Sequence, residues 1–239
     1  LKPDNVMISG GRVVLTDFGL ARPAQGETLT QTGAVLGSPA YMSPEQARGA
    51  GVDERSDLFS LGTLLYELCT GRVPFSARDP LATLLLIAEG RYPPPEQLNP
   101  QVGRELAKVI VGLLATDPKQ RFQRAEEVVT ALEALLEPLA LGAPRDALAR
   151  YFETPGEFNR EVVAEVIKSS LGRAEDAVTQ RRFAEALACC DRVLAFEPRH
   201  ERALALMGEL TAQGRGPWRW VFVAGAVLLL LLGGLGIWR

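Results

Sequence analysis

The chain has 239 residues, with 26 Lys and Arg against 29 Asp and Glu, which gives a formal charge of −3. This balance provides no electrostatic basis for nucleic-acid binding, and a hydrophobic content of 47% excludes global disorder. Three cysteines are too few for a disulfide framework and fit a reducing compartment. The single histidine, His200, has no neighbouring histidine or Cys-x-x-Cys pair, which argues against a zinc site.

The first residues predict a β-hairpin with oxygen ligands at its open end. The run Val13–Leu15 indicates a short apolar strand that leads to Asp17, and Gly10–Gly11 supplies the turn before it. Asn5 and Asp17 are therefore expected at the two ends of the hairpin. A carboxylate and an amide oxygen brought together there suit Mg²⁺, which prefers oxygen ligands and accompanies phosphates.

Five short motifs follow one another along the first half of the chain. In order they read KPDN, DFG, GSPAYMSPEQ, SDLFSLGTLLYEL and DPKQRF. A single tripeptide such as DFG is a weak signal, but five motifs in one order agree with each other and are specific. Residues 1–137, which carry them, resemble the C-terminal lobe of a Hanks-type Ser/Thr protein kinase, most closely the bacterial members.

The resemblance implies a nucleotide and metal site at the open end of the hairpin. Lys2, Pro3 and Asn5 match the second half of the family's catalytic loop, H-R-D-L-K-P-x-N. Lys2 would be the catalytic residue that lies near the transferring γ-phosphate and offsets its developing charge. Asn5 and Asp17 would bind the Mg²⁺ that bridges the phosphates of ATP. ATP and Mg²⁺ are thus the implied cofactors, and proteins are the implied substrates.

The resemblance also implies an activation segment after the hairpin. The residues that it singles out are Phe18, Gly19, Thr30, Thr32, Ser38 and Glu45. Phe18 would pack inward, and Ser38 would lie in the loop that receives the substrate residue. A phosphate on Thr30 or Thr32 would order the segment against an arginine, and the alternative for these threonines is an ordinary polar loop.

Three charged residues have a structural role in the family. Glu45 would form a buried ion pair with Arg121 that ties the activation segment to the lobe. Asp57 opens a helix predicted to run to about Thr70, and it would brace the backbone of the catalytic loop. Taken singly, Glu45 and Arg121 could be unpaired surface charges, and Asp57 could be an acid that complements the helix dipole.

The family's catalytic base is the Asp of H-R-D, and its position falls one residue before Leu1. The Gly-rich loop and the strand lysine of the small lobe would also precede Leu1. We therefore expect a C-terminal fragment of a kinase that is inactive by itself. The alternative from another class is a pseudokinase scaffold that recruits partners to the membrane. Because a scaffold has no chemical need for Lys2, Asn5 and Asp17, their presence favours the enzyme.

A second, helical region follows the kinase-like residues. The stretch from Pro138 to Pro144 is rich in Leu, Ala and Pro, which predicts a linker over residues 138–160. Residues 161–214 read as successive helices. They resemble a tetratricopeptide repeat (TPR), with packing positions at Ala174, Phe183, Ala186 and Pro198. Such a short array would need a protein partner to cover its apolar face, and a generic helical spacer is the alternative. The adjacent Cys189 and Cys190 are expected to divide, one buried and the other partly exposed.

The end of the chain predicts a transmembrane helix over residues 218–239. From Trp220 to Trp238 there are 19 residues without a charge, or about 28 Å of helix, close to the thickness of the hydrocarbon core. Tryptophans flank this run as in an interfacial belt, and two arginines precede it. A buried core helix is the alternative. The arginines predict a single-pass membrane protein whose kinase domain is cytoplasmic, with lipid as a further partner.

The predicted fold is mainly α-helical. It consists of a kinase large lobe with a small β-hairpin near the metal site over 1–137, a linker over 138–160, a TPR-like helical segment over 161–214 and a transmembrane helix over 218–239. The predicted function is that of a membrane-anchored serine/threonine protein kinase.

Overall fold

The computed structural model describes residues 1–9, 12–16 and 39–213. Its strands are β1 (Val6–Ser9) and β2 (Arg12–Leu15). Its helices are α1 (Pro44–Ala47), α2 (Glu54–Thr70), α3 (Pro80–Glu89), α4 (Pro95–Leu98), α5 (Gly103–Leu113), α6 (Ala125–Leu136), α7 (Pro144–Glu153), α8 (Pro155–Thr179), α9 (Phe183–Phe196) and α10 (Glu201–Gln213). Short 3₁₀ turns cover Pro3–Asn5, Pro39–Tyr41, Pro100–Val102, Pro118–Gln120 and Glu137–Leu139. The predicted fold, mainly helical with a small hairpin, is confirmed.

The chain divides into two compact units. The first covers Leu1–Ser169, and the second begins at Ser170. The boundary falls inside α8, because this helix continues without a break from Pro155 to Thr179. The range 138–160, predicted as a linker, is largely helical, since α7 and the start of α8 occupy it. Pro144 and Pro155 each stand at the first position of a helix, where a proline is favoured and does not break the chain into a loop.

The two strands form an antiparallel hairpin. Val6 pairs with Leu15, and Ser9 pairs with Arg12. One further backbone hydrogen bond, from the Thr16 N–H to the Asn5 carbonyl at 2.9 Å, extends the pairing beyond the open end. The predicted strand 13–15 is therefore observed one residue longer, and Asn5 is tied to the residue that precedes Asp17.

Helix α2 is the centre of the first unit. It begins at Glu54, earlier than the predicted start at Asp57, because the Asp53 carboxylate accepts a hydrogen bond from the Arg55 N–H at 2.9 Å and caps the helix. It ends at Thr70, as predicted, where Gly71 adopts φ 72°. A left-handed residue at this position favours glycine and terminates the helix.

The core of the first unit forms around the inner face of α2. Phe59 stacks on Phe75 with ring centroids 5.9 Å apart. Tyr92 stands edge-on to both Phe75 and Tyr66, at 5.3 and 5.7 Å. Residues of α5 close this cluster, and they pack on their other side against α6. The large buried side chains of this core are Phe59, Tyr66, Phe75, Ile87, Ile110, Leu113 and Leu114.

The close crossing of α2 and α5 depends on Gly62. A β-carbon placed there would lie 2.7 Å from Leu113 Cβ and 3.2 Å from Leu114 Cδ2. We expect Gly62→Ala to lower the free energy of unfolding by about 1–3 kcal/mol through overpacking. Urea denaturation followed by circular dichroism measures this change. Gly156→Ala in the same unit is the control, because no heavy atom lies within 4 Å of the β-carbon that it would gain. Equal stability of Gly62→Ala and wild type would contradict the tight crossing.

The second unit is built from the C-terminal part of α8 with α9 and α10. Its core is made of small and medium side chains, namely Ala174, Ala177, Ala186, Cys190, Val193, Ala203, Leu206 and Leu210. Ala174 and Ala186 are buried as predicted, whereas Phe183 is 42% exposed because it is the first residue of α9. Cys190 is buried and Cys189 is half-buried, which confirms the predicted division between the two thiols.

The predicted transmembrane helix, residues 218–239, lies outside the described residues. Among the helices of residues 1–9, 12–16 and 39–213, none is long and apolar enough to span a bilayer.

Candidate active site

A short turn just before the hairpin brings two of the predicted site residues, Lys2 and Asn5, close together. Lys2 precedes the 3₁₀ turn Pro3–Asn5, and its ammonium lies 3.2 Å from a carboxylate oxygen of Asp4. The Asn5 N–H donates to the Lys2 carbonyl at 3.0 Å, which closes this turn. The Asn5 carbonyl accepts from Thr16, so that both backbone groups of Asn5 are held. The turn therefore presents Lys2 and Asn5 at the open end of the hairpin.

Several predicted site residues lie outside the described part of the chain. They are Asp17, Phe18, Gly19, Thr30, Thr32 and Ser38. Their roles stay predictions. Asn5 alone among the predicted metal ligands is described. Within the described ranges, no group of three or more His, Cys, Asp or Glu side chains forms a metal-binding cluster.

Asp57 lies in the first turn of α2, on the side that faces the start of the chain. Its Oδ1 is 3.8 Å from the backbone nitrogen of Leu1, and its side chain is 82% exposed. The first residue of the catalytic-loop motif is thus near this carboxylate. Bracing of the loop backbone by Asp57 remains a prediction that this proximity supports.

Glu45 and Arg121, which the sequence predicts to pair, form a buried bidentate ion pair. Arg121 Nη1 lies 2.7 Å from Glu45 Oε1, and Nη2 lies 2.6 Å from Oε2. The Ser56 hydroxyl donates to Glu45 Oε1 at 2.6 Å. Two parallel bonds between planar groups fix orientation as well as distance. The pair therefore joins α1, at the end of the activation segment, to the chain at Arg121.

Arg121 satisfies its remaining donors with backbone carbonyls. Its Nε donates to the Ala115 carbonyl at 2.7 Å, and Nη1 also donates to the Arg55 carbonyl at 2.8 Å. Its guanidinium lies over the Phe59 ring, 5.0 Å from the centroid. A buried charge needs such partners to offset the loss of hydration. The arginine is consequently a junction between the end of the activation segment, α2 and the turn before α6.

The environment of Glu45 predicts an acid-dependent stability. Burial by itself would raise the pKa of Glu45, but hydrogen bonds from Arg121 and Ser56 outweigh burial and lower this pKa from 4.5 to about 2. Because the folded pKa is depressed, ionised Glu45 stabilises the fold above pH 4.5, and this stabilisation is lost as the pH falls toward 2. We expect a loss of roughly 3 kcal/mol in the free energy of unfolding over that range.

Urea denaturation of wild type and Glu45→Gln at a series of pH values checks this prediction. The difference between the two proteins isolates Glu45 from the other carboxylates that titrate in acid. The difference is expected to shrink as the pH falls below 4.5. If the difference in free energy of unfolding between the two proteins stays constant from pH 7 to pH 2, ionisation of Glu45 does not cause the acid dependence of stability.

Tyr41 and Ser60 are site residues that the motifs contain but do not single out. The Ser60 hydroxyl donates to the Tyr41 carbonyl at 2.9 Å, and the Tyr41 hydroxyl donates to the carboxylate of Glu67. Burial and this bond to Glu67 raise the pKa of Tyr41 above its ordinary value. Ser60 and Glu67 both belong to α2. The sequence shows only that Tyr41 lies within the motif GSPAYMSPEQ and that Ser60 and Glu67 lie within SDLFSLGTLLYEL. It does not indicate that these residues bond to one another.

Helix α1 is anchored by its own cap. The Ser43 hydroxyl accepts from the Gln46 N–H at 3.3 Å, and the Gln46 side chain accepts from the Ser43 N–H at 2.9 Å. This reciprocal pair is a capping box. Arg48, just after α1, donates to the Ala88 carbonyl of α3 at 2.9 Å. The segment from Pro39 to Arg48 is therefore held against both α2 and α3.

Comparisons with known proteins agree with this arrangement. A family model described as the protein kinase domain matches residues 1–132, which is more than half of the chain. A probable serine/threonine-protein kinase of Streptomyces coelicolor is 42% identical over 146 residues, covering 60% of this chain and 22% of the relative. The serine/threonine-protein kinase PknB of Mycolicibacterium smegmatis is 42% identical over 148 residues, covering 61% and 24%.

A third relative is named for a different specificity. The tyrosine-protein kinase MasK of Myxococcus xanthus is 36% identical over 162 residues, covering 67% of this chain and 25% of the relative. The chain thus spans about a quarter or less of the length of these three relatives. The residues that match the family contain the hairpin with Asn5, the α1 anchor and the Glu45–Arg121 pair. The chain therefore belongs to the protein kinase domain family.

Proposed function

We propose that the protein containing this chain is a serine/threonine protein kinase that transfers the γ-phosphate of ATP to proteins. The observation that carries the proposal is the hairpin, which ties Asn5 to Thr16, the residue immediately before Asp17. An amide oxygen and a carboxylate near each other are suitable ligands for Mg²⁺. Bound Mg²⁺ would neutralise charge on the phosphates, while Lys2 offsets the charge that develops on the transferred group.

The anchored end of the activation segment supports the same proposal. Tyr41 and Glu45 are held by Ser60 and Arg121 of the first unit, so the residues that directly follow Ser38 in sequence form a fixed platform. Phosphoryl transfer depends mainly on positioning and electrostatics, and a fixed platform supplies the positioning for a substrate residue. Ser38, directly before this platform in sequence, belongs to the stretch expected to receive the substrate residue.

The test is a phosphotransfer assay on the complete protein with ATP labelled at the γ-phosphate. We expect labelled phosphoserine or phosphothreonine after acid hydrolysis, with loss of label when Mg²⁺ is chelated. Label in phosphotyrosine alone would contradict Ser/Thr specificity and would indicate a tyrosine kinase, as the Myxococcus xanthus relative is named. No labelling of any protein by a folded sample would favour the pseudokinase scaffold.

Autophosphorylation of the activation segment is part of the proposal. Thr30 and Thr32 lie among small and polar residues in the stretch between the DFG motif and Ser38. A phosphate there would add about two negative charges and could pair with an arginine. Phosphopeptide mapping of the active protein is expected to find phosphate on at least one of these threonines, and an unmodified segment in an active sample would contradict the idea.

We further propose a membrane anchor at 218–239 and a TPR-like protein-binding role for 161–214. The apolar run between Trp220 and Trp238 supports the anchor. The alanine-rich core of the second unit supports the TPR-like interpretation, since small residues let paired helices approach closely. Fractionation of cells that express the complete protein is expected to find it in the membrane fraction. A protease added to the cytoplasmic side of these membranes is expected to cleave the kinase domain. Loss of the membrane fraction on deletion of 218–239 is the expected confirmation.

A further inference from the structure

The end of helix α3 is bonded to the residue that follows α1. Arg48 Nη2 donates to the Ala88 carbonyl at 2.9 Å. The last four carbonyls of an α-helix have no partner within the helix, and Ala88 lies in the last turn of α3. Arg48 therefore caps α3 from a neighbouring element, and its positive charge complements the negative end of the helix dipole.

The backbone that carries the Arg48 side chain is itself held in place. The Arg48 N–H donates to the Pro44 carbonyl at 3.1 Å, and Arg48 is the C-terminal cap of α1. At the other end of this helix, Ser43 and Gln46 form the capping box, and both Ser43 and Pro44 are buried. The side chain of Arg48 is exposed, but it extends from a fixed base. The bond to Ala88 consequently links two defined helices.

A second contact holds the same end of α3. Gly90 follows the helix with φ 63°, and its N–H donates to the Ile87 carbonyl at 3.2 Å. A β-carbon placed at Gly90 would lie 2.6 Å from Thr116 Cγ2. The end of α3 thus approaches Thr116 closely, in the stretch between α5 and the buried Arg121.

The buried ion pair completes a circuit of contacts. Arg121 pairs with Glu45 of α1 and also donates to the Thr116 carbonyl at 3.4 Å. One path from α1 therefore reaches Thr116 through Glu45 and Arg121. The other path reaches the end of α3 through Arg48, and α3 returns to Thr116 through Gly90. The Arg48 bond closes this circuit, because it is the side-chain bond that joins α1 to α3 directly.

Helix α3 does not depend on Arg48 for its attachment to the first unit. Thr83 and Ile87 are buried, and Ile87 belongs to the same core cluster as Phe59. The Thr83 hydroxyl accepts from the Ala77 N–H at 3.1 Å, which holds the start of the helix. Loss of the Arg48 bond is therefore expected to loosen the end of α3 against α1 and to leave the fold intact.

We propose that Arg48 is a positioning residue that holds the platform, residues 39–48, against α3. This inference rests on the proposed kinase function for its effect on the reaction, whereas its effect on the end of α3 is independent of that function. Without the bond, the platform shifts relative to α3 and presents the substrate residue less accurately. Phosphoryl transfer is sensitive to such misplacement. Binding of ATP, which the resemblance assigns to Asn5 and Asp17, is expected to stay the same.

The first measurement is hydrogen exchange of the complete protein. In Arg48→Met, the Gly90 amide is expected to exchange about two- to fivefold faster, as loss of a cationic cap at a helix end predicts. Arg78→Met is the matched control, because it makes the same change at an exposed residue two positions before α3. Arg48→Lys keeps the charge and a donor, and its exchange rate is expected to lie between those of Arg48→Met and wild type.

The second measurement is autophosphorylation of the complete protein with Mg²⁺ and ATP. At saturating ATP, the rate is expected to fall about three- to tenfold in Arg48→Met, with the KM for ATP within about twofold of wild type. Arg48→Lys is expected to restore part of this rate, and Arg78→Met is expected to match wild type.

Three results would overturn parts of the proposal, and they are distinguishable. Unchanged exchange of the Gly90 amide in Arg48→Met overturns the link between α1 and α3. Faster exchange with an unchanged rate, or with a KM for ATP that rises as much as the rate falls, overturns the positioning role. A wild type that does not phosphorylate itself overturns the proposed function, and the exchange result then decides the packing role alone.

Discussion

Replacing Arg121 by Met is expected to lower the free energy of unfolding by about 3–5 kcal/mol. The substitution leaves the Glu45 carboxylate buried without its cation, and Glu45 is 8% exposed in the side chain. It also removes the donors that satisfy the carbonyls of Ala115 and Arg55. Breaking one half of a buried pair is costly for both reasons. Urea denaturation at pH 7, followed by circular dichroism, measures the loss.

A matched pair on the surface provides the control. Arg124 and Glu126 form an ion pair of 3.6 Å whose side chains are 76% and 79% exposed. Arg124→Met is expected to change the free energy of unfolding by less than about 1 kcal/mol. Similar losses in Arg121→Met and Arg124→Met would show that burial of the first pair does not matter for stability.

A double-mutant cycle separates the pair from the other contacts of Arg121. The losses in Glu45→Met and Arg121→Met are expected to sum to more than the loss in the double variant, by about 2 kcal/mol. This coupling arises because the second substitution removes a charge that the first has already left without a partner. Additive losses would mean that Arg121 acts only through its backbone contacts.

Replacing Asn5 by Ala is expected to lower the kinase activity of the complete protein by about 10²- to 10³-fold. This factor corresponds to the loss of a few kcal/mol of electrostatic stabilisation by a metal that is no longer held correctly. The backbone bond from Thr16 to the Asn5 carbonyl does not depend on the side chain, so the hairpin is expected to persist. Initial rates at several Mg²⁺ concentrations measure the effect, and higher Mg²⁺ is expected to restore part of the rate.

Ser9→Ala is the control for this substitution. Ser9 is exposed at the far end of β1, the strand that Asn5 precedes, and its change is expected to leave activity within about twofold, as for a neutral surface site. Near-wild-type activity in Asn5→Ala, with the same dependence on Mg²⁺, would exclude Asn5 as a metal ligand.

Local physical chemistry explains which elements can be predicted from sequence. The hairpin follows from the β-branched and apolar run at 13–15 beside two glycines, and the end of α2 follows from Gly71. The predicted start of α2 at Asp57 is late because the capping residue is Asp53, an acid that precedes the motif. The residues predicted as a linker, 138–160, contain helices despite their prolines, because proline is well tolerated in the first turn of a helix.

The order of the motifs is visible in the sequence and carries the resemblance to the kinase family. The pairing of Glu45 with Arg121 is predicted through that resemblance. The partners that complete these motifs emerge only from the folded chain. The Tyr41–Glu67 bond and the bond from Arg48 to the Ala88 carbonyl join residues that are separate in the sequence. Contacts of this kind depend on how helices pack in three dimensions, and no local periodicity or spacing records them.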